Sequence, residues 1–151
     1  MEIKDNAMFS SKSDDWATPI KVFNELNDEF GFDLDVCASH ENHKVDTYFT
    51  KEDDGLSQCW YNKICFMNPP YGRAIGHWVE KAYFQSVFHK ATVVCLLPAR
   101  TDTRWFHNYC LKGEVRFIKG RLKFGDAKEN APFPNMIVIF RPDDIINNKE
   151  I

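Results

Sequence analysis

An apolar run, Lys63-Ile64-Cys65-Phe66-Met67, stops abruptly at Asn68-Pro69-Pro70-Tyr71. Proline carries no N–H and cannot continue a central ladder, so a strand over 63–67 must end there. Thr92-Val93-Val94-Cys95-Leu96-Leu97 meets Pro98 in the same way, and its almost unbroken apolar character predicts a strand buried on both faces. Between the two, Ile75, Trp78, Val79, Ala82 and Tyr83 fall on one face of a helix. Upstream, Thr18 as N-cap and Pro19 at the first helical position open a helix that continues through Val22, Phe23, Leu26 and Phe30 and stops at Gly31. Residues 32–38 then read as a strand ending in small side chains. Buried strands alternating with helices predict an α/β fold around a mainly parallel sheet. In such sheets ligands sit beyond the carboxyl ends of the strands, which here are 35–39, 68–71 and 98–100.

The rest of the chain is less regular. Residues 39–60 are polar, with 47–50 as a short strand candidate and Asp53-Asp54-Gly55 as a turn. Residues 103–111 read as a helix, and 115–118, 122–124 and 136–140 as strands. The first two of these strands pair as a hairpin around Gly120, giving the sheet an antiparallel end. Residues 1–14 are expected to be a flexible arm and 15–145 one domain.

Composition excludes several classes. At 44% hydrophobic and 27% charged, the 151-residue chain has the material for a core and is not a disordered polymer. No apolar run approaches the roughly 20 residues that span a bilayer. The polar, acidic opening reads against a secretory signal peptide. The five cysteines form no Cys-x-x-Cys and no zinc-like spacing with histidine, so a reduced, cytoplasmic protein without a metal site is expected. The net charge of −3 hides an asymmetry: residues 1–60 hold 5 basic and 14 acidic side chains, whereas 100–128 hold 8 and 3. That stretch is either a phosphate-contacting face or a solvated surface.

The tetrapeptide at 68–71 carries the chemistry. Its two prolines fix φ and remove two donors. The Asn68 side-chain oxygen and the Pro69 carbonyl can together accept both N–H groups of an exocyclic amine. Tyr71 offers a flat face for a planar ring. The competing reading is a proline-rich turn, which the strand before it and the amphipathic helix after it make less economical.

In this setting the chain resembles the phage-type DNA N6-adenine methyltransferases, often called Dam-like. The resemblance runs over about residues 15–141. It rests on Trp16-Ala17-Thr18-Pro19, the strand with Asp35-Val36-Cys37-Ala38, Asp54-Gly55-Leu56 with Trp60, Asn68-Pro69-Pro70-Tyr71-Gly72, Trp78, Leu96-Leu97-Pro98-Ala99-Arg100, Thr103-Arg104-Trp105-Phe106 and Gly120-Arg121-Leu122-Lys123-Phe124. It implies a compact Rossmann-like methyltransferase fold with S-adenosylmethionine as donor. It also implies that Asn68, Pro69, Pro70 and Tyr71 hold an adenine flipped out of double-stranded DNA. By the same resemblance the donor meets Trp16, Thr18, Pro19, Asp35, Cys37, Ala38, Asp54 and Asn68, and Arg100, Arg104 and Arg121 contact DNA. A phage or prophage source, a role in restriction-modification and a monomer or homodimer go with it.

Several readings stay open on the residues alone. Asp35 fits a donor ligand or a strand-end turn cap. Glu52 and Asp53 rival Asp54, and all three also fit a solvated cluster. Trp78 and Trp105 read as core. The glycine-rich turn of the wider methyltransferase pattern is missing after the first strand, where Ala38-Ser39 stand. Three other functions share the pocket logic or its absence: methylation of RNA adenine, methylation of a protein glutamine amide, and a catalytically degenerate binding module.

Overall fold

The computed structural model describes residues 16–125 and 130–143. The arm expected over 1–14 lies outside them, as do the last two residues of the expected domain. Among the described residues, α1 (Ile20–Phe30) leads into β1 (Leu34–Asp35), followed by β2 (Ile64–Met67), α2 (Ile75–His89), β3 (Thr92–Pro98), α3 (Arg104–Asn108), β4 (Glu114–Phe117) and β5 (Asn135–Phe140). The strands form one sheet in the order β1-β2-β3-β5-β4. β1, β2 and β3 are parallel, and β5 runs antiparallel to both of its neighbours.

Register shows how the sheet is covered. Phe66 stands opposite Val94, and Val94 opposite Ile139, so these side chains share one face. Phe23 of α1 meets Phe66 edge-on at 5.3 Å on that face. Phe140 stands opposite Val93, on the other face, and Tyr83 of α2 packs against it at 5.9 Å. One helix therefore covers each face, which is why β3 and β5 are buried almost throughout and read as continuous apolar runs. Both helices end in left-handed residues: Gly31 at φ 67° and Lys90 at φ 60°. No helix among the described residues is long and apolar enough to cross a membrane.

Three local expectations are corrected. The hairpin around Gly120 does not form. β4 pairs instead with β5, which arrives from beyond residue 134 and inserts between β3 and β4. Residues 122–124 leave the sheet, because Phe124 is buried against Trp16 and Tyr71 instead. The strand at 32–38 is regular only over Leu34–Asp35, and 47–50 contribute a single bridge from Tyr48 to Asp35. Thr18 does not cap α1: Pro19 is the N-cap residue, no side chain caps the helix, and the Thr18 hydroxyl is engaged by Asn68.

Candidate active site

The three parallel strands bring 35–39, 68–71 and 98–100 to one sheet edge, as expected. Beyond β1 and β2 that edge opens into a cavity of about 610 Å³. Trp16, Thr18, Asp35, Cys37, Ala38, Asp54 and Asn68 all line it, and Pro19 does not. Within the tetrapeptide, Asn68 and Pro70 face the cavity, whereas Pro69 and Tyr71 are buried away from it.

Asn68 follows directly on β2, so its backbone is fixed by the ladder. Its Nδ2 donates to the Trp16 carbonyl and, at 2.9 Å, to Thr18 Oγ1. Its Oδ1 is buried and has no partner. The lone pairs of this buried oxygen are therefore not spent on the protein, while the residue itself lines the cavity.

Asp35 ends β1 and is almost fully buried. Its carboxylate accepts from Cys37 N at 3.3 Å and Lys44 N at 3.4 Å. Burial outweighs these long bonds and the nearby charges of Lys44 and His43, and pushes the carboxyl up to about 6. The rivalry among the three downstream acids is also resolved in part. Asp53 is taken by Thr50, whose N and Oγ1 donate to it at 2.9 and 3.1 Å, which holds this exposed carboxyl below its usual range. Asp54 and Glu52 line the cavity. Asp54 also accepts from Leu56 N at 3.2 Å, starting the 3-10 turn Gly55–Ser57.

Trp78 and Gly55 belong to the site although the sequence marks the first as core. Trp78 is buried, yet its indole forms part of the cavity wall. A Cβ on Gly55 would lie 2.2 Å from the Val36 carbonyl oxygen and 3.0 Å from Trp78 Cη2. Only the absence of a side chain lets the 54–57 turn close against β1. The glycine within the Asp54-Gly55-Leu56 motif was the available signal.

Tyr71 departs most from expectation. Its hydroxyl donates to the Leu96 carbonyl at 3.0 Å, and its ring meets Phe124 and Phe133 edge-on at 6.1 and 5.5 Å. Burial holds the phenol well above its ordinary value. At 4% exposure it shows no open face to a planar ligand in this conformation. Phe133 carried no signal in the sequence beyond being an isolated aromatic.

The basic residues are spread and partly occupied. Arg100 is exposed and donates back to the Tyr71 carbonyl at 3.2 Å. Arg121 is exposed and reaches the Ala131 carbonyl at 3.4 Å. Arg104 is exposed on α3. None of the three lines the cavity. Arg116 is held by Glu29 through two bonds of 2.7 and 2.8 Å and also by Glu114, so it joins α1 to β4.

Comparison with known proteins shows the family of the chain. A family profile described as DNA N-6-adenine-methyltransferase (Dam) matches residues 6–148. The chain is 38% identical over 152 aligned residues to a DNA N-6-adenine-methyltransferase of Haemophilus phage HP1, an alignment covering 94% of this chain and 86% of that protein. It is 37% identical over 93 residues to a DNA N-6-adenine-methyltransferase of Escherichia phage T1, covering 60% of this chain and 38% of that one. With nearly its whole length matched, the chain belongs to the DNA N-6-adenine-methyltransferase (Dam) family.

Proposed function

We propose that this protein transfers a methyl group from S-adenosylmethionine to the N6 amine of adenine in double-stranded DNA, on a Rossmann-like methyltransferase fold. The observation that carries the reading is the buried, unpaired Oδ1 of Asn68, a residue that lines a cavity on the carboxyl edge of the sheet. An acceptor left bare in that position suits a donor amine arriving with the substrate.

The cavity fits the methyl donor. Its volume lies in the range of small-molecule sites. Asp35, Glu41, Glu52 and Asp54 line it against Lys51, an acidic excess that favours a cationic ligand. Asp35 holds the ammonium group of the donor, and Asp54 or Glu52 a hydroxyl or amine. When bound, S-adenosylmethionine supplies an electrophilic methyl on a sulfonium. Asn68 Oδ1 accepts an N–H of the target amine, orients the nitrogen lone pair and favours the positive charge that grows on that nitrogen as it attacks. The sulfur leaves with the electron pair of its bond to the methyl group, and the nitrogen then loses a proton to solvent. N6 is paired inside a duplex, so the base is flipped out to reach the pocket. Arg100, Arg104 and Arg121 are the candidates for contacts to the displaced backbone.

Methyl transfer from labelled donor to unmethylated duplex DNA tests the proposal. Label recovered as N6-methyladenine is the expected result. Transfer only to RNA or protein would redirect the substrate class, and saturable donor binding without transfer to any of these would point to a degenerate module.

The protonation of Asp35 gives a second expectation. In the free protein its carboxyl holds a proton below about pH 6. A cationic donor binds the ionised form, so affinity is full above this value and falls as pH drops through it. The expected loss is about tenfold per pH unit on the acid side. Equilibrium dialysis of labelled donor from pH 5 to 8 checks this, and Asp35→Asn should flatten the profile as well as weaken binding. A flat wild-type profile would remove Asp35 from the ammonium site.

A further inference from the structure

The Asn68 amide is oriented by the protein before any substrate arrives. One of its N–H groups goes to the Trp16 carbonyl and the other to Thr18 Oγ1 at 2.9 Å. A carbonyl oxygen only accepts, so turning the amide over would set Oδ1 against another acceptor. The main chain of Trp16 thus decides which end of the amide is Oδ1, and Thr18 supplies the second acceptor. The outcome is a buried oxygen without a partner. An unpaired buried acceptor is unfavourable, so the fold keeps this one only because turning the amide over would set Oδ1 against the Trp16 carbonyl.

The segment supplying both acceptors is itself held. The Trp16 ring meets Phe124 and Phe133 edge-on at 5.4 and 5.2 Å. Gly125 N donates to the Ala17 carbonyl at 2.9 Å. Thr18 is buried. Its residue type and its place before Pro19 suit a helix cap, yet no side chain caps α1. The hydroxyl is spent on Asn68 instead.

We propose that Trp16-Ala17-Thr18 is a positioning clamp for the methyl acceptor, with Thr18 as a positioning residue that acts through Asn68. This rests on the methyltransferase reading above. It changes the role of Thr18 from a contact of the methyl donor to a determinant of how the target amine is met.

Thr18→Val and Thr18→Ala both remove the oxygen, the second without adding a methyl beside Asn68. Turnover on duplex DNA at saturating donor, the KM for DNA, donor affinity by equilibrium dialysis and a thermal melt are read for each. The expected result is a fall in kcat of about tenfold, the loss of one hydrogen bond that matters in the transition state. The rate defect should persist at saturating donor, and Thr18→Ser, which keeps the acceptor, should restore most of the rate. If either folded variant weakens donor binding while kcat at saturation holds, Thr18 is a donor contact and the proposal is overturned. Unchanged kcat in a folded variant overturns it as well, while leaving the methyltransferase reading intact. A wild-type protein that transfers no methyl overturns that reading first and this one with it.

Discussion

Asn68→Ala is expected to lower kcat by about 10²–10³ while leaving donor affinity within a fewfold of wild type. The size follows from what removal of one preorganised polar group costs when it acts on charge that develops only in the transition state. On the proposed reading Asn68 Oδ1 is such a group: it is buried, has no protein partner, and its orientation is fixed by the two bonds that Nδ2 of the same amide donates to Trp16 and Thr18. Alanine deletes it without disturbing β2, whose ladder ends at Met67. Single-turnover methylation with donor and DNA both saturating separates this from a binding defect. A rise in apparent KM with kcat preserved would show that Asn68 holds ground state and transition state equally, and would remove it from the transition-state account.

Gly55→Ala is expected to cost about 3 kcal/mol of stability and to lower the melting temperature by roughly 6–12 °C. The new methyl would sit 2.2 Å from the Val36 carbonyl oxygen, a main-chain atom that cannot swing aside. Relief requires the 54–57 turn to lift away from β1. Two consequences go with that movement. Trp60 Nε1, which donates to the Gly55 carbonyl at 3.0 Å, loses its alignment inside the core. The wall that carries Asp54, Gly55 and Leu56 also shifts relative to Asp35, which lines the same cavity. Donor affinity should therefore fall by at least about tenfold, more than stability alone explains, since the folded fraction at 25 °C stays high. A melt within 2 °C of wild type, measured by calorimetry, would contradict the packing argument.

How much of this was legible depends on how local the determinant was. The strands that became β2, β3 and β5 announced themselves because a helix lies over each face, and that demands apolar side chains at every position. The face of α2 was likewise set by spacing within one segment: Ile75, Trp78, Val79, Ala82 and Tyr83 are all buried. The hairpin at 115–124 failed because pairing is not local. β4 does prefer an antiparallel neighbour, and the neighbour is β5, some twenty residues on. Nothing in residues 122–124 says that Phe124 will gain more by burial beside Trp16 and Tyr71 than by pairing with 115–118.

The site divides along the same line. Residues on strand ends, Asp35 and Asn68, were placed by topology. Thr18 lines the cavity and does not cap α1 as its sequence position suggests, because its competing partner lies 50 positions away. Trp78 was assigned to the core, and it is buried; its role as cavity wall depends on the close approach of Gly55, which spacing does not reveal.

The enclosure of Tyr71 has a thermodynamic consequence. A base that stacks on this ring does not displace water from it. It replaces the contacts of Phe124 and Phe133, which already pack against the ring. The gain is then a difference between two aromatic contacts, each worth about 0.5–1.5 kcal/mol beyond area, and the difference is small. Tyr71 would contribute little to how tightly DNA is held and more to which shape of base is accepted, since only a planar ring recovers what the phenylalanines give up.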